Sequence, residues 1–180
     1  MFELEIKLAV KDFETAYSAL IDAGVVFAER ISQYDSIFAA SPETITKPRP
    51  GTVVARVRQQ GSKSLLNVKR HLTNELDCEE HEFSVSDEAE AKAFLQILGL
   101  QQVVEVKKDR LKGKLGDKTV CLDSVHGLGS FVEFELISNE QPRAGEQDAL
   151  LVEARSALGP AVVDRVSMGY DRMILEATSE

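Results

Sequence analysis

Five stretches of this chain place two like charges at positions i and i+2: Glu3/Glu5, Arg56/Arg58, Glu80/Glu82, Lys108/Arg110 and Glu133/Glu135. The first is the clearest. In Phe2-Glu3-Leu4-Glu5-Ile6-Lys7-Leu8 the apolar side chains all have one parity and the charged ones the other. That is period 2, the signature of a β-strand with one apolar and one charged face. A single such strand reads as the solvated face of an antiparallel sheet. Five of them, each with its charges matched in sign, do not, because a solvated face mixes Thr, Ser, Gln and Lys without order.

With the charged faces turned inward, the fold encloses Glu3, Glu5, Glu80, Glu82, Asp123, Glu133 and Glu135 together with Lys7, Arg56, Arg58, Lys69, Lys108 and Arg110. Burying ions with only each other as partners costs of the order of several kcal/mol per ion. A ligand that needs both signs resolves this. Divalent ions such as Mg²⁺ or Mn²⁺ take hard carboxylate oxygens, and phosphates take Arg forks and Lys ammonium groups. The inventory therefore points to a triphosphate with its metal ions.

The rest of the chain reads as strands joined by short turns, with few helices. Lys11 to Ala23 has helical spacing and ends at Gly24. Val25 to Phe38 is β-prone, with Gln33, Asp35 and Ile37 on one face. Ala39 to Gly51 holds three prolines and no period, so it reads as a loop or lid. Val53 to Gln59, a turn at Gln60-Gly61-Ser62-Lys63, and Ser64 to Lys69 form a hairpin. Glu75 to Val85 is an acidic strand. Ser86-Asp87 caps a helix from Glu88 to Leu98. Three strands follow over Gln102 to Lys112, Lys118 to Ser124 and Ser130 to Ser138, with helices over Gly145 to Leu158 and Ser167 to Ala177. About eight sequential strands favour an α+β fold in which an antiparallel sheet closes into a barrel. An open sheet with helices on one side is the alternative. No linker divides residues 1–180, which read as a single domain.

Composition removes several classes. The formal net charge is −9, which disfavours nucleic acid as a partner. Six basic residues lie between Lys107 and Lys118 against two acidic ones, a local surplus suited to a small polyanion. No apolar run has the ~20 residues of a membrane helix. The start, MFELEIK, has neither the basic nor the apolar region of a signal peptide, so a cytoplasmic location is expected. Cys78 and Cys121 then read as inert free thiols. His126, before Gly127, reads as a turn residue.

Glu3-x-Glu5-x-Lys7 at the N-terminus resembles the E-x-E-x-K signature of the CYTH superfamily, the triphosphate tunnel metalloenzymes. That superfamily includes class IV adenylyl cyclases, thiamine triphosphatases and inorganic triphosphatases. Later stretches fall in the family's order: Gln33-x-Asp35, Arg56-x-Arg58, Lys69, the Glu80/Glu82 strand, Lys108-x-Arg110, then Asp123 followed by Gly127-Leu128-Gly129-x-Phe131-x-Glu133-x-Glu135. The resemblance implies a closed eight-stranded antiparallel β-barrel, a tunnel with charged residues inside and helices packed outside, together with dependence on Mg²⁺ or Mn²⁺ and a homodimer. It implies Glu3, Glu5, Glu133 and Glu135 as metal ligands, with Asp123, Glu80 and Glu82 in support. Arg56, Arg58, Lys69, Lys108 and Arg110 would hold phosphates, and Lys7 would pair with carboxylates or orient the phosphate tail. Glu5, Lys7 and Glu135 are the expected catalytic set. The chain departs from the pattern at Ile37, where Tyr is common, at Arg70-His71, where Gly-Pro is common, and at Cys78, where Arg is common. The last leaves the register of Glu79, Glu80 and Glu82 open.

The order from Lys108-x-Arg110 to Phe131 is most similar to class IV cyclases, which make cyclic AMP and pyrophosphate from ATP. A triphosphatase is the alternative within the family. A module that binds nucleotide or polyphosphate without turnover is the alternative outside catalysis.

Overall fold

The computed structural model describes residues 2–178. The alternation at the N-terminus forms β1 (Phe2–Val10), followed by α1 (Phe13–Asp22), β2 (Val26–Ala39), α2 (Pro42–Thr46), β3 (Val53–Gln60), β4 (Lys63–Asn74) and β5 (Asp77–Val85). Then come α3 (Glu88–Ile97), β6 (Gln101–Leu115), β7 (Lys118–Val125), β8 (Gly129–Ser138), α4 (Glu146–Leu158), β9 (Val162–Val166) and α5 (Tyr170–Ala177). The hydrogen-bonded strand order is β5-β4-β3-β2-β6-β7-β8-β1-β9, and β5 also pairs with β1. That last pairing decides against an open sheet. The fold is α+β, a closed eight-stranded antiparallel barrel with helices outside.

Four elements differ from the sequence reading. The proline-containing stretch after β2 holds the short helix α2, begun by a capping box at Ser41 and Thr44 with Pro42 in the first turn. β4 runs past Lys69 to Asn74 because its basic residues meet carboxylates across the ladder: Lys69 opposes Glu80 and Arg70 opposes Glu79. β6 continues to Leu115, where the chain reverses through Gly116 at φ +61°. β9 was not expected. Its five residues are too few for a periodic signal, and it forms by pairing with Lys7 to Val10 of β1.

The chain divides into two compact units, residues 1–31 with 108–167, and residues 32–107 with 168–180. In the first unit, β1, β7 and β8 turn Ile6, Leu8, Val120, Leu122, Val132 and Phe134 toward one face, all fully buried. Ala16 and Leu20 of α1 and Leu150, Ala154 and Leu158 of α4 complete that core. Helix α1 starts where Asp12 accepts the Thr15 N–H at 2.7 Å. In the second unit, Phe38, Ala55, Val57 and Leu66 pack under Ala91 and Leu95 of α3. The Asp87 carboxylate caps α3 by accepting from Ala89 and Glu90. Glu75, in the turn between β4 and β5, holds α5: it accepts from the Gly169 N–H at 3.0 Å and from Arg172 at 2.6 Å.

Candidate metal and phosphate site

Along the middle of β1, β7 and β8 the first unit's sheet is buried on both faces. Lys7 is 2% exposed, although it alternates with Ile6 and Leu8 at 0%. Register explains which side chains meet: Glu5 lies opposite Glu135, Lys7 opposite Glu133, Cys121 opposite Glu133, Thr119 opposite Glu135, and Arg110 opposite Asp123. Residues directly opposite one another in an antiparallel pair share a face. These side chains therefore form one polar wall behind the apolar core.

On this wall every charge has a partner. Lys7 Nζ sits 3.3 Å from Glu5 Oε1 and 3.3 Å from Glu133 Oε1. Arg110 donates through Nε to Asp123 Oδ1 at 2.7 Å and through Nη2 to Asp123 Oδ2 at 2.5 Å. Its Nη2 also bonds Glu133 Oε2, and Nη1 lies 3.6 Å from Glu135 Oε1. Burial pulls the Arg110 pKa down, but Asp123, with Cys121 and Glu133, more than reverses this and holds it well above the ordinary value. Arg110 is thus a permanent cation among three carboxylates. Lys108 is buried on the same wall, and Glu3, at the strand's start, is half-buried.

Cys121 is the residue that sequence reading set aside. It is fully buried, and its Sγ–H donates to Glu135 Oε1 at 3.5 Å. Burial pushes its thiol pKa well up; Arg110 opposes this, while Glu135, Glu133 and Asp123 add to it. One ligand atom from each of Cys121, Glu133 and Glu135 lies within 4.8 Å of the others. Such a set fits a divalent cation, with carboxylate oxygens as the main donors.

In the second unit the polar wall comes from β2, β3, β4 and β5. Arg58 donates to Asp35 through both Nε and Nη2, at 2.6 and 2.7 Å. Arg56 reaches Glu80 at 3.6 Å and Glu82 at 3.4 Å, and Lys69 Nζ lies 3.0 Å from Glu80 Oε2. Glu79 points the other way, to Arg70 and His81. The register left open by the sequence is therefore resolved: Glu80 and Glu82 lie on the wall, and Glu79 does not. Glu82 is the more solvent-exposed of the pair.

The buried groups on these walls that the expected site residues leave out include Gln33, Asp35, Asn67, Thr119 and Cys121. Gln33 and Asp35 enter the sequence analysis only as a motif. Asn67, 1% exposed, donates to Glu80 and Glu82. A parity rule would have found Asn67 and Cys121, since each stands two positions before a predicted site residue, Lys69 and Asp123. Their uncharged side chains concealed them. His126 lies in the β7–β8 turn and is exposed, as expected.

A model of the CYTH domain matches residues 1–170. An adenylate cyclase of Aeromonas hydrophila is 26% identical over 159 residues, covering 88% of this chain and 81% of that protein. A conserved hypothetical protein of Pyrococcus furiosus superposes with a TM-score of 0.74 at 27% identity, over 97% of this chain and 98% of that one. A Hippeastrum protein with a dominant triphosphatase activity superposes with a TM-score of 0.63 over 99% of this chain and 96% of that one; at 16% identity it speaks to the fold alone. With the family match running through both polar walls, the chain belongs to the CYTH domain family.

Proposed function

We propose that this protein is a metal-dependent enzyme of triphosphate compounds, acting first on ATP as an adenylyl cyclase that yields cyclic AMP and pyrophosphate. One observation carries the reading: buried carboxylates and buried cations are interleaved on the polar walls, with Arg110 bonded to Asp123 and Glu133 and 3.6 Å from Glu135. A structural ion-pair network needs fewer charges than this, and burying them is costly. A substrate that brings both phosphate and metal gives the excess a purpose.

In this reading Glu5, Glu133 and Glu135, with Glu3 and Asp123, hold Mg²⁺ or Mn²⁺ in the first unit, and Glu80 and Glu82 hold it in the second. The bound ion would neutralise phosphate charge. Lys108 and Arg110, and separately Arg56, Arg58 and Lys69, bind phosphate oxygens and stabilise the charge that develops as the bond to phosphorus breaks. Lys7 orients Glu5 and Glu133. In the cyclase reaction the ribose 3′-oxygen attacks the α-phosphorus and pyrophosphate leaves. The name of the Aeromonas hydrophila relative favours this over the alternative, in which water attacks the terminal phosphorus and orthophosphate leaves. That alternative rests on the family resemblance, which takes in triphosphatases as well as cyclases. We further propose a single domain over residues 1–180, a cytoplasmic location and, from the family resemblance, a homodimer.

Product analysis tests the reading. The protein is incubated with ATP and, separately, with tripolyphosphate, each with Mg²⁺ or Mn²⁺. Cyclic AMP and pyrophosphate support the cyclase. ADP or pyrophosphate with orthophosphate supports the triphosphatase. Intact substrate in every mixture overturns the enzymatic reading.

A further inference from the structure

The carboxylate set in the first unit is not purely an oxygen site. Cys121 stands directly opposite Glu133 in the β7–β8 ladder, and its thiol hydrogen-bonds Glu135. Its sulfur and one oxygen from each of these carboxylates are mutually within 4.8 Å, and all three residues are buried. A thiol at such a place changes which cations the site prefers. Mg²⁺ gains nothing from sulfur, whereas borderline and soft ions such as Zn²⁺ and Cd²⁺ gain most from it.

We infer that Cys121 is a third donor beside Glu133 and Glu135, and that this gives the site a high affinity for thiophilic divalent cations. The inference rests on the proposed role of Glu133 and Glu135 as metal ligands, and it adds a selectivity that carboxylates alone do not have. On binding, the sulfur–hydrogen bond breaks, the proton leaves to solvent, and the thiolate electron pair forms the bond to the cation. No oxidant or reductant is involved. Arg110, 3.6 Å from Glu135, already offsets negative charge at this wall. The consequence for the enzyme is inhibition: a thiolate-bound Cd²⁺ or Zn²⁺ occupies the carboxylates on which Mg²⁺ or Mn²⁺ would act.

The test titrates Cd²⁺ alone into the full chain and follows thiolate-to-Cd²⁺ charge-transfer absorbance in the ultraviolet. The protein has two cysteines, so Cys78→Ser and Cys121→Ser separate them. The expected result is a saturable band in the wild type and in Cys78→Ser, and none in Cys121→Ser or Cys121→Ala, whose folding is checked by circular dichroism. Cd²⁺ affinity should fall by about tenfold or more in Glu135→Gln. Mn²⁺ alone, followed by its electron paramagnetic resonance signal, is titrated in parallel. Mn²⁺ binding that is lost in Glu135→Gln but kept in Cys121→Ser, together with the Cys121 band, supports the inference. No band, or a band that follows Cys78, overturns it while leaving the carboxylate assignment standing. Mn²⁺ affinity unchanged in Glu135→Gln overturns the carboxylate assignment itself.

Discussion

Arg58 and Asp35 are joined by two near-parallel hydrogen bonds, of 2.6 and 2.7 Å, between side chains that are almost wholly buried. The fork fixes the guanidinium plane, and with Nε and Nη2 committed to Asp35 it leaves Nη1 for another partner. Asp35 thus acts as the positioning residue for Arg58. Removing either side chain strands the other charge in a buried place. Asp35→Ala should lower stability by about 3–5 kcal/mol, and Asp35→Asn by less, since its carbonyl oxygen still accepts from Arg58. Urea denaturation of both variants measures this; a loss under about 1 kcal/mol in Asp35→Ala would show that the pair is not structurally coupled. Arg58→Ala should chiefly raise KM for the triphosphate substrate, and an unchanged KM and kcat would remove Arg58 from the phosphate-binding set.

Lys7 separates two carboxylates, with Glu5 and Glu133 each 3.3 Å from its ammonium group. Lys7→Met keeps the length of the side chain but leaves two buried like charges facing each other. A divalent cation bound to those carboxylates would replace the missing positive charge. The expected outcome is a Tm well below wild type without metal, and a larger rise on adding Mn²⁺ than the wild type shows. An equal Mn²⁺ response in the two proteins would contradict the assignment of Glu5 and Glu133 as ligands.

Glu5→Ala and Glu135→Ala remove proposed ligands from adjacent strands, where the two residues lie opposite one another. Each should abolish metal-dependent turnover while circular dichroism stays that of the wild type. Full activity in either variant would dismiss the metal role.

Much of the barrel was legible because its strands alternate so strictly. Ile6 and Lys7 are both buried, and the sequence announced this through charge order rather than through hydrophobicity. What stayed hidden depended on partners distant in the chain. β9 exists because β1 offers it an edge, and β4 continues beyond Lys69 because Glu79 and Glu80 stand across from it. Asn67 and Cys121 escaped notice for a different reason. An uncharged residue on a charged face carries no pattern of its own, and only register shows that it meets Glu80 or Glu133.

Gly113, in β6, is required by close approach. A Cβ there would lie 2.8 Å from the Phe27 ring, 2.8 Å from the Val26 carbonyl oxygen and 2.9 Å from Val25. The Phe27 ring, stacked on Tyr17 at 5.7 Å between centroids, and the Val26 backbone have little room to retreat. Gly113→Ala should cost about 1–3 kcal/mol through overpacking, read as a lowered urea midpoint. Because the strain falls on the outer layer, kcat at low temperature should be unchanged. A neutral or stabilising result would mean that β2 shifts freely at Val26.

His71 gives stability a dependence on pH whose sign follows from its surroundings. Burial lowers its pKa below the ordinary value of 6.5; Glu75 and Asp171 oppose that, and Lys69 adds to it. The folded protein therefore holds His71 neutral at a pH where the unfolded chain already binds the proton. Stability rises with pH wherever the unfolded state binds more protons. This contribution is complete above about pH 6.5, and it is lost as pH falls from there toward the lowered folded value. Urea midpoints at pH 7.5 and 5.5, about a unit either side of the ordinary histidine value, measure the loss in the wild type and in His71→Gln. Carboxylates in either protein contribute equally, so the wild type should lose more over this interval than the variant. Equal losses would show that His71 titrates alike in the folded and unfolded chains.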